Sequence, residues 1–253
     1  MRARLLAPVL LLGFGFAKLA PESLLTRVRQ SANLHTAPVQ ISLRQNLSQM
    51  GFLAALSGFR AVVADLLWIQ AHTAWENTDW GRMKLLLDTV TALQPRAVVF
   101  WDGAAWHMAW NASVSALENP AQPRLALRVK AQREFFRLGE DFLLRGIQNN
   151  PGRQELYNRL GMLYRDKFED HARASDAFAA CAALPNAPSY ARRFAAYELS
   201  RVPGREAEAY QTLKKLFLEG EKNWLPTLFN RIRFLEEKLN VRPDERLRIP
   251  EGR

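Results

Sequence analysis

Along most of this chain, apolar residues recur at the three- and four-residue spacing of an amphipathic helix. The helical pattern begins at about Ile41. The first such helix has on one face Leu43, Leu47, Met50, Ala54 and Ser57. Proline falls mostly between the periodic segments, and alternating apolar runs bounded by Asn-Gly or Asp-Gly turns are absent. The pattern therefore predicts an all-α protein.

An aromatic residue also recurs at nearly constant spacing. Trp68 and Trp101 are 33 residues apart, and Tyr157, Tyr190 and Trp224 follow one another at intervals of 33 and 34. A fixed period in this range is typical of a solenoid, in which each short unit stacks on its neighbour to bury its apolar face. The longer interval between Trp101 and Tyr157 predicts an insertion, which we place at residues 119–138.

Sequence motifs accompany these aromatic residues. The clearest copy reads Tyr157-x2-Leu160-Gly161-x2-Tyr164, followed by Ala174-x3-Phe178-x2-Cys181 and Pro185. A second copy begins at Trp101, and its closing half is displaced to Gly139-x3-Leu143-x2-Gly146. The copies that begin at Tyr190 and Trp224 are degenerate. Over residues 57–240 the motifs resemble the tetratricopeptide repeat (TPR). The resemblance implies a right-handed α-solenoid of helical hairpins, with Gly161 facing Phe178.

The segment that opens the repeats has a pattern of its own, Gly58-Phe59-Arg60, then Ala64-Asp65 and Trp68. It resembles the first helix of bacterial membrane-anchored or exported TPR proteins. Arg60 and Asp65 interrupt an otherwise apolar helix. Because a buried charge is costly without a partner, we expect them to belong to a pair or network that joins the first hairpins.

The N-terminus is predicted to direct the chain to a membrane. Residues 1–20 carry two arginines before an uncharged apolar run from Leu5 to Ala17, which predicts a signal peptide or membrane anchor. Residues 21–40 are predicted to be a linker, residues 41–240 the solenoid and residues 241–253 a C-terminal tail. The basic N-terminus favours an inner-membrane-anchored or exported protein whose solenoid faces the periplasm. Cleaved and retained forms of the N-terminal segment both remain open.

Charge and chemistry narrow the function further. The net charge is +10, but after residue 121 basic and acidic side chains are mixed, which favours a solvated surface over a nucleic-acid interface. The single cysteine, Cys181, excludes an internal disulfide and is expected in the core. His72 and His107 lack the spacing of a metal site, and phosphate-binding glycine motifs and nucleophile elbows are missing. We therefore expect no cofactor, no metal and no enzymatic activity.

The repeat register predicts a concave groove for a protein partner. Its expected lining comprises Gln70, Thr73, Glu76, Asn77, Asp102, Trp106, Trp110, Asn158, Arg159, Met162, Arg165, Arg192 and Glu198. Trp106 and Trp110, four residues apart, are either anchors in the groove or core residues covered by the insertion or the N-terminal helices. The pattern slightly favours the core. Arg159 and Arg165 are suited to receive a carboxylate of the partner.

Two functions follow from these expectations. The first is a non-catalytic protein-protein interaction scaffold of the bacterial cell envelope, whose partner is a membrane, secretion or transport component. The alternative is a small-molecule receptor or enzyme, in which Asp102, His72 and His107 converge on a pocket beside Trp106.

Overall fold

The computed structural model describes residues 58–250, which form helices joined by turns and loops and contain no strand. The predicted all-α class is thereby confirmed. The predicted signal or anchor segment 1–20, the linker 21–40 and the helix face from Leu43 to Ser57 lie outside the described residues. Within the described range, no helix combines the length and apolar character needed to cross a bilayer. The chain divides into two compact units, Met1–Phe100 and Trp101–Arg253.

The described part of the first unit is a helical hairpin. Helix α1 (Arg60–Glu76) packs on helix α2 (Trp80–Leu93). Small buried residues on α1, Ala64 among them, permit a close approach to Val90 and Leu93 of α2, and Trp68 and Phe100 pack against this cluster.

Arg60 joins the two helices of this hairpin through a backbone carbonyl group, and not through the predicted pairing of charges. Its Nε donates a hydrogen bond to the carbonyl oxygen of Leu93, 3.1 Å away. This bond satisfies one of the carbonyl groups that the end of α2 leaves without a helical partner. Burial lowers the pKa of Arg60. Asp65 is exposed, so solvation removes its need for a buried partner.

The second unit consists of further helices. Helix α3 (Val98–Trp106) spans the boundary between the units and continues as a π-helical stretch (His107–Ala112) and α4 (Ser113–Glu118). Helix α5 (Leu125–Asn149) follows, then α6 (Gln154–Leu163) with a second π-helical stretch (Tyr164–Phe168). The remaining helices are α7 (His171–Ala182), α8 (Tyr190–Leu199), α9 (Glu206–Leu218) and α10 (Pro226–Lys238), with 3-10 turns at Glu221–Asn223 and Pro243–Glu245.

The predicted insertion lengthens a hairpin. Residues 119–124 form a loop, and α5 extends over 25 residues. A Cβ atom on Gly139 would lie 2.6 Å from the Cβ of Ala109, and one on Gly146 would lie 2.9 Å from the Cβ of Trp101. These two glycines thus let α5 approach the preceding helix closely, which is the role expected of the closing half of this copy.

The register of the clearest copy is also confirmed at one contact. A Cβ atom on Gly161 would lie 2.7 Å from ring atoms of Phe178, so α6 and α7 approach each other closely here. Cys181 on α7 is fully buried, as expected of a core thiol, and burial raises its pKa.

The aromatic period differs from the period of the hairpins. Helices α6, α8 and α10 begin 36 residues apart, at Gln154, Tyr190 and Pro226. The recurring aromatic therefore shifts from the fourth residue of α6 (Tyr157) to the first residue of α8, and then to Trp224, which precedes α10. The prediction that Trp224 lies on the first helix of a repeat is wrong: it follows a 3-10 turn, and its indole N–H donates to the carbonyl oxygen of Phe217 at 2.9 Å. The first of these shifts, of three residues, is close to one helical turn of 3.6, so Tyr157 and Tyr190 stay on similar faces.

The end of the described chain packs on the last hairpin. Val241, Leu247 and Ile249 lie against the apolar cluster formed by α8, α9 and α10. The buried carboxylate of Glu236 accepts hydrogen bonds from the hydroxyl of Tyr210 at 3.0 Å and from the backbone N–H of Leu247 at 2.8 Å. Residues 241–250 thus cover the apolar end of the unit.

Candidate functional site

Two stacked indole rings form the most prominent feature of the second unit's surface. Trp106 ends α3, and Trp110 lies in the π-helical stretch that follows. Their ring centroids are 5.1 Å apart, and the ring planes differ by 14°. Trp106 is 40% exposed and Trp110 is half-buried. The insertion does not cover Trp106, because α5 packs on the other face of this helix, at Ala105 and Ala109. The N-terminal helices, which were the other predicted cover, lie outside the described residues.

Arg159 of α6 lies over both indoles. Its guanidinium carbon is 5.2 Å from the ring centroid of Trp106 and 5.8 Å from that of Trp110. The same guanidinium forms a two-pronged pair with Asp102, from Nε to Oδ1 at 2.7 Å and from Nη2 to Oδ2 at 3.0 Å. The hydrogen bond to Asp102 raises the pKa of Arg159, against the opposing effect of burial. This pair fixes the cation in place over the rings.

Lys167 contributes a second cation, which the sequence did not predict. Its Nζ lies 5.4 Å from the ring centroid of Trp110 and 5.7 Å from that of Phe136 on α5. Burial lowers its pKa. Within residues 58–250 no carboxylate forms an ion pair with Lys167, so this ammonium is able to receive one from a partner. We refer to Trp106, Trp110, Arg159 and Lys167 together as the tryptophan platform.

The arginines expected to receive a partner carboxylate are already paired within the chain. Arg159 binds Asp102, as described above. Arg165 donates to Asp166 from Nε at 2.6 Å and from Nη2 at 3.1 Å, and it lies over the ring of Phe194 at 5.2 Å. Each guanidinium fork is thus occupied within the chain, and the expected binding of a partner carboxylate by these arginines stays a prediction.

The other predicted groove residues of the second unit differ in exposure. Asn158 and Met162 are half-buried on α6. Arg192 is exposed and pairs with Glu219, which directly follows α9. Glu198 is only 4% exposed, so its assignment to an open groove is wrong. Neighbouring helices enclose it, and its Oε2 lies 2.7 Å from Nδ1 of His171 on α7.

The predicted groove residues Gln70, Thr73, Glu76 and Asn77 belong to the first unit. All four are exposed, on α1 or directly after it. The amide of Asn77 donates to the carbonyl oxygen of Thr73 at 2.8 Å and so helps to end α1.

The polar groups proposed for a pocket beside Trp106 have other partners. The carboxylate of Asp102 binds Arg159, and Nδ1 of His107 lies 3.1 Å from the amide nitrogen of Asn111. His72 lies in the first unit, where its Nε2 is 3.7 Å from Glu76. Among residues 58–250 there is no group of three potential metal ligands.

Comparisons of the chain with protein-family models, with curated proteins and with solved structures give no match. The function is therefore inferred from the geometry of the described residues.

Proposed function

We propose that this chain is a non-catalytic interaction scaffold that binds a protein partner through the tryptophan platform. The observation that carries the proposal is the stacking of the exposed Trp106 on the half-buried Trp110, with Arg159 over both rings and Lys167 over that of Trp110. Tryptophan and arginine are enriched among the residues that dominate protein interfaces, and tryptophan buries a large area with little loss of side-chain entropy. A pair of side chains that is already rigid before binding loses even less conformational entropy on binding.

The chemistry of the platform suggests what the partner presents. Trp106 offers an exposed indole surface to an apolar or aromatic side chain. Lys167, close to Trp110, is positioned for a carboxylate. We therefore propose a partner segment that carries an apolar side chain next to an acidic one, in keeping with the net charge of +10.

The scaffold is proposed to be a TPR-like α-solenoid. The described contacts support this proposal: the main helix contacts of the second unit join neighbours along the chain or next neighbours, and three of its helices, α6, α8 and α10, begin at intervals of 36 residues. The close approach at Gly161 matches the TPR motif. Of the remaining predicted groove residues, Asn158, Met162 and Arg192 of the second unit extend the binding surface in this proposal.

The proposed location is the bacterial cell envelope, with the helical array facing the periplasm and the partner belonging to a membrane, secretion or transport assembly. Support for the location comes from the sequence of residues 1–20, with two arginines before an uncharged apolar run.

Partner capture with matched variants tests the proposal. The full-length chain is immobilised and exposed to detergent-solubilised envelope, and bound proteins are identified by mass spectrometry. Trp106→Ala should weaken binding of the captured protein by about 30-fold or more, as expected for an interface hot spot. Lys167→Gln should weaken binding less than Trp106→Ala does, and it should reduce the salt dependence of binding.

Leu218→Ala provides the control, because Leu218 is a well-exposed apolar residue on α9 outside the platform. It should bind as the unmodified chain does. Circular dichroism verifies that each variant is folded. A partner that binds the Trp106→Ala and Leu218→Ala variants equally, or the absence of any specific partner, refutes the proposed role of the platform.

A further inference from the structure

Helix α1 carries an apolar stripe on the side that does not face α2. Val62, Leu66 and Ile69 are 53%, 55% and 62% exposed. Their spacing of four and three residues places them on one face of the helix. The buried residues of α1 that face the hairpin core are instead Ala64, Ala71 and Ala74. An exposed row of large apolar side chains of this kind marks a surface that another segment covers.

Two residues before α1, the backbone has a conformation that is common where helices end. Gly58 has a φ of 78°, in the left-handed region that glycine adopts most easily. Glycine in this conformation commonly ends a helix at the position after its last residues. Only Phe59 separates Gly58 from the first residue of α1, and connections this short join antiparallel helices.

The sequence before Gly58 is complementary to the stripe. Four residues on one predicted helical face, from Leu43 to Ala54, mirror four residues of α1 about this glycine. The mirrored pairs are Ala54 and Val62, Met50 and Leu66, Leu47 and Ile69, and Leu43 and Thr73, at four, eight, eleven and fifteen residues on either side of Gly58. In an antiparallel helical hairpin that turns at Gly58, residues at equal distances from the turn face each other.

We propose that residues 43–57 fold back at Gly58 as a helix and cover the Val62–Leu66–Ile69 stripe. The array of helices then begins before the described residues, with this segment as the partner of α1. The inference is independent of the tryptophan platform and of any external partner.

Two other occupants are less compatible with the residues. A second copy of the chain has to associate from dilute solution, whereas residues 43–57 are attached at the end of the stripe and are present at millimolar effective concentration. An anionic membrane surface favours basic flanks on an interfacial helix. The exposed charged residues of α1 near the stripe, Asp65 and Glu76, are acidic.

Disulfide trapping in the full-length chain tests the pairing. The variant Met50→Cys/Leu66→Cys should form an intrachain bridge under mild oxidation, because a bridge requires Cα atoms within about 7 Å. The control Met50→Cys/Thr73→Cys places the second thiol on the same face but about 10 Å further along the helix, and should form at least tenfold less bridge. Cys181 stays native, because it is buried, and peptide mapping identifies which cysteines are joined.

Each contrary outcome overturns the proposal. Bridges between two chains identify a second copy as the occupant. Equal bridging of the two variants shows that the segment has no fixed register on α1. The absence of a bridge in a variant with unchanged circular dichroism shows that the segment lies elsewhere. Leu66 is exposed, so its replacement leaves the α1–α2 core intact.

Discussion

A single methyl group added at Gly139 measures how tightly α5 packs on the preceding helix. The new Cβ would lie 2.6 Å from the Cβ of Ala109 and 3.1 Å from the carbonyl oxygen of Ala105. Because carbon atoms in contact lie about 3.5–4.0 Å apart, the two helices must separate by about 1 Å. The obstructing oxygen belongs to the backbone, so a change of side-chain rotamer gives no relief.

Two effects of opposite sign decide the magnitude. Overpacking of a well-packed contact costs about 1–3 kcal/mol of stability. Replacing glycine by alanine within a helix contributes about 1 kcal/mol in the other direction. We therefore expect Gly139→Ala to lower the free energy of unfolding by up to about 2 kcal/mol.

Gly152→Ala is the matched control, because a Cβ atom there meets nothing within 4 Å. It should stabilise the chain by about 0.4–1 kcal/mol, by restricting the unfolded state. The free energies of unfolding of the two alanine variants should thus differ by about 0.4–3 kcal/mol in urea denaturation followed by circular dichroism. Equal denaturation midpoints would show that α5 does not approach Ala105 and Ala109 closely, and the described register of this hairpin would then be wrong.

Two further substitutions test the charged and buried groups of the second unit. Asp102→Asn removes the charge that holds Arg159 over the indoles. The substitution should lower the free energy of unfolding by about 1 kcal/mol and change the tryptophan fluorescence spectrum. An unchanged spectrum contradicts the placement of Arg159 over the stacked indoles. Burial and the hydrogen bond to Glu236 raise the pKa of Tyr210 to about 12, above the value near 10 of an unfolded tyrosine. Its stabilising contribution is therefore complete below pH 10 and is lost as pH rises towards 12, so Tyr210→Phe should lose less stability than the unmodified chain between those pH values. Identical pH profiles in denaturant titrations argue against a buried phenol at this position.

Local sequence pattern was sufficient to predict an all-helical chain and one close contact between helices. A small residue in a helix permits close approach, and for this reason Gly161 could be assigned to a helix interface from sequence. The aromatic period could not reveal the period of the hairpins. Side chains about one turn apart occupy similar faces, so Tyr157 and Tyr190 keep their packing role although their positions along the helix differ.

The candidate site was only partly accessible to sequence. Asp102 and Arg159 are 57 residues apart, and nothing in the pattern of either helix pairs them. Lys167 follows Tyr164 in a π-helical stretch, where each turn holds more residues than the 3.6 assumed by a periodicity argument. Side chains beyond such a stretch point in directions that α-helical spacing does not predict.

The neighbour-to-neighbour contacts of the second unit also bear on how it forms during synthesis. Main contacts between α6 and α7, α7 and α8, and α8 and α9 join helices that directly follow one another. Little loop-closure entropy is lost in making them, and helical proteins with such local contacts fold in microseconds to milliseconds. This is much faster than translation, which adds about 5–20 residues per second. Each helix is therefore able to dock on the preceding one before the ribosome completes the next.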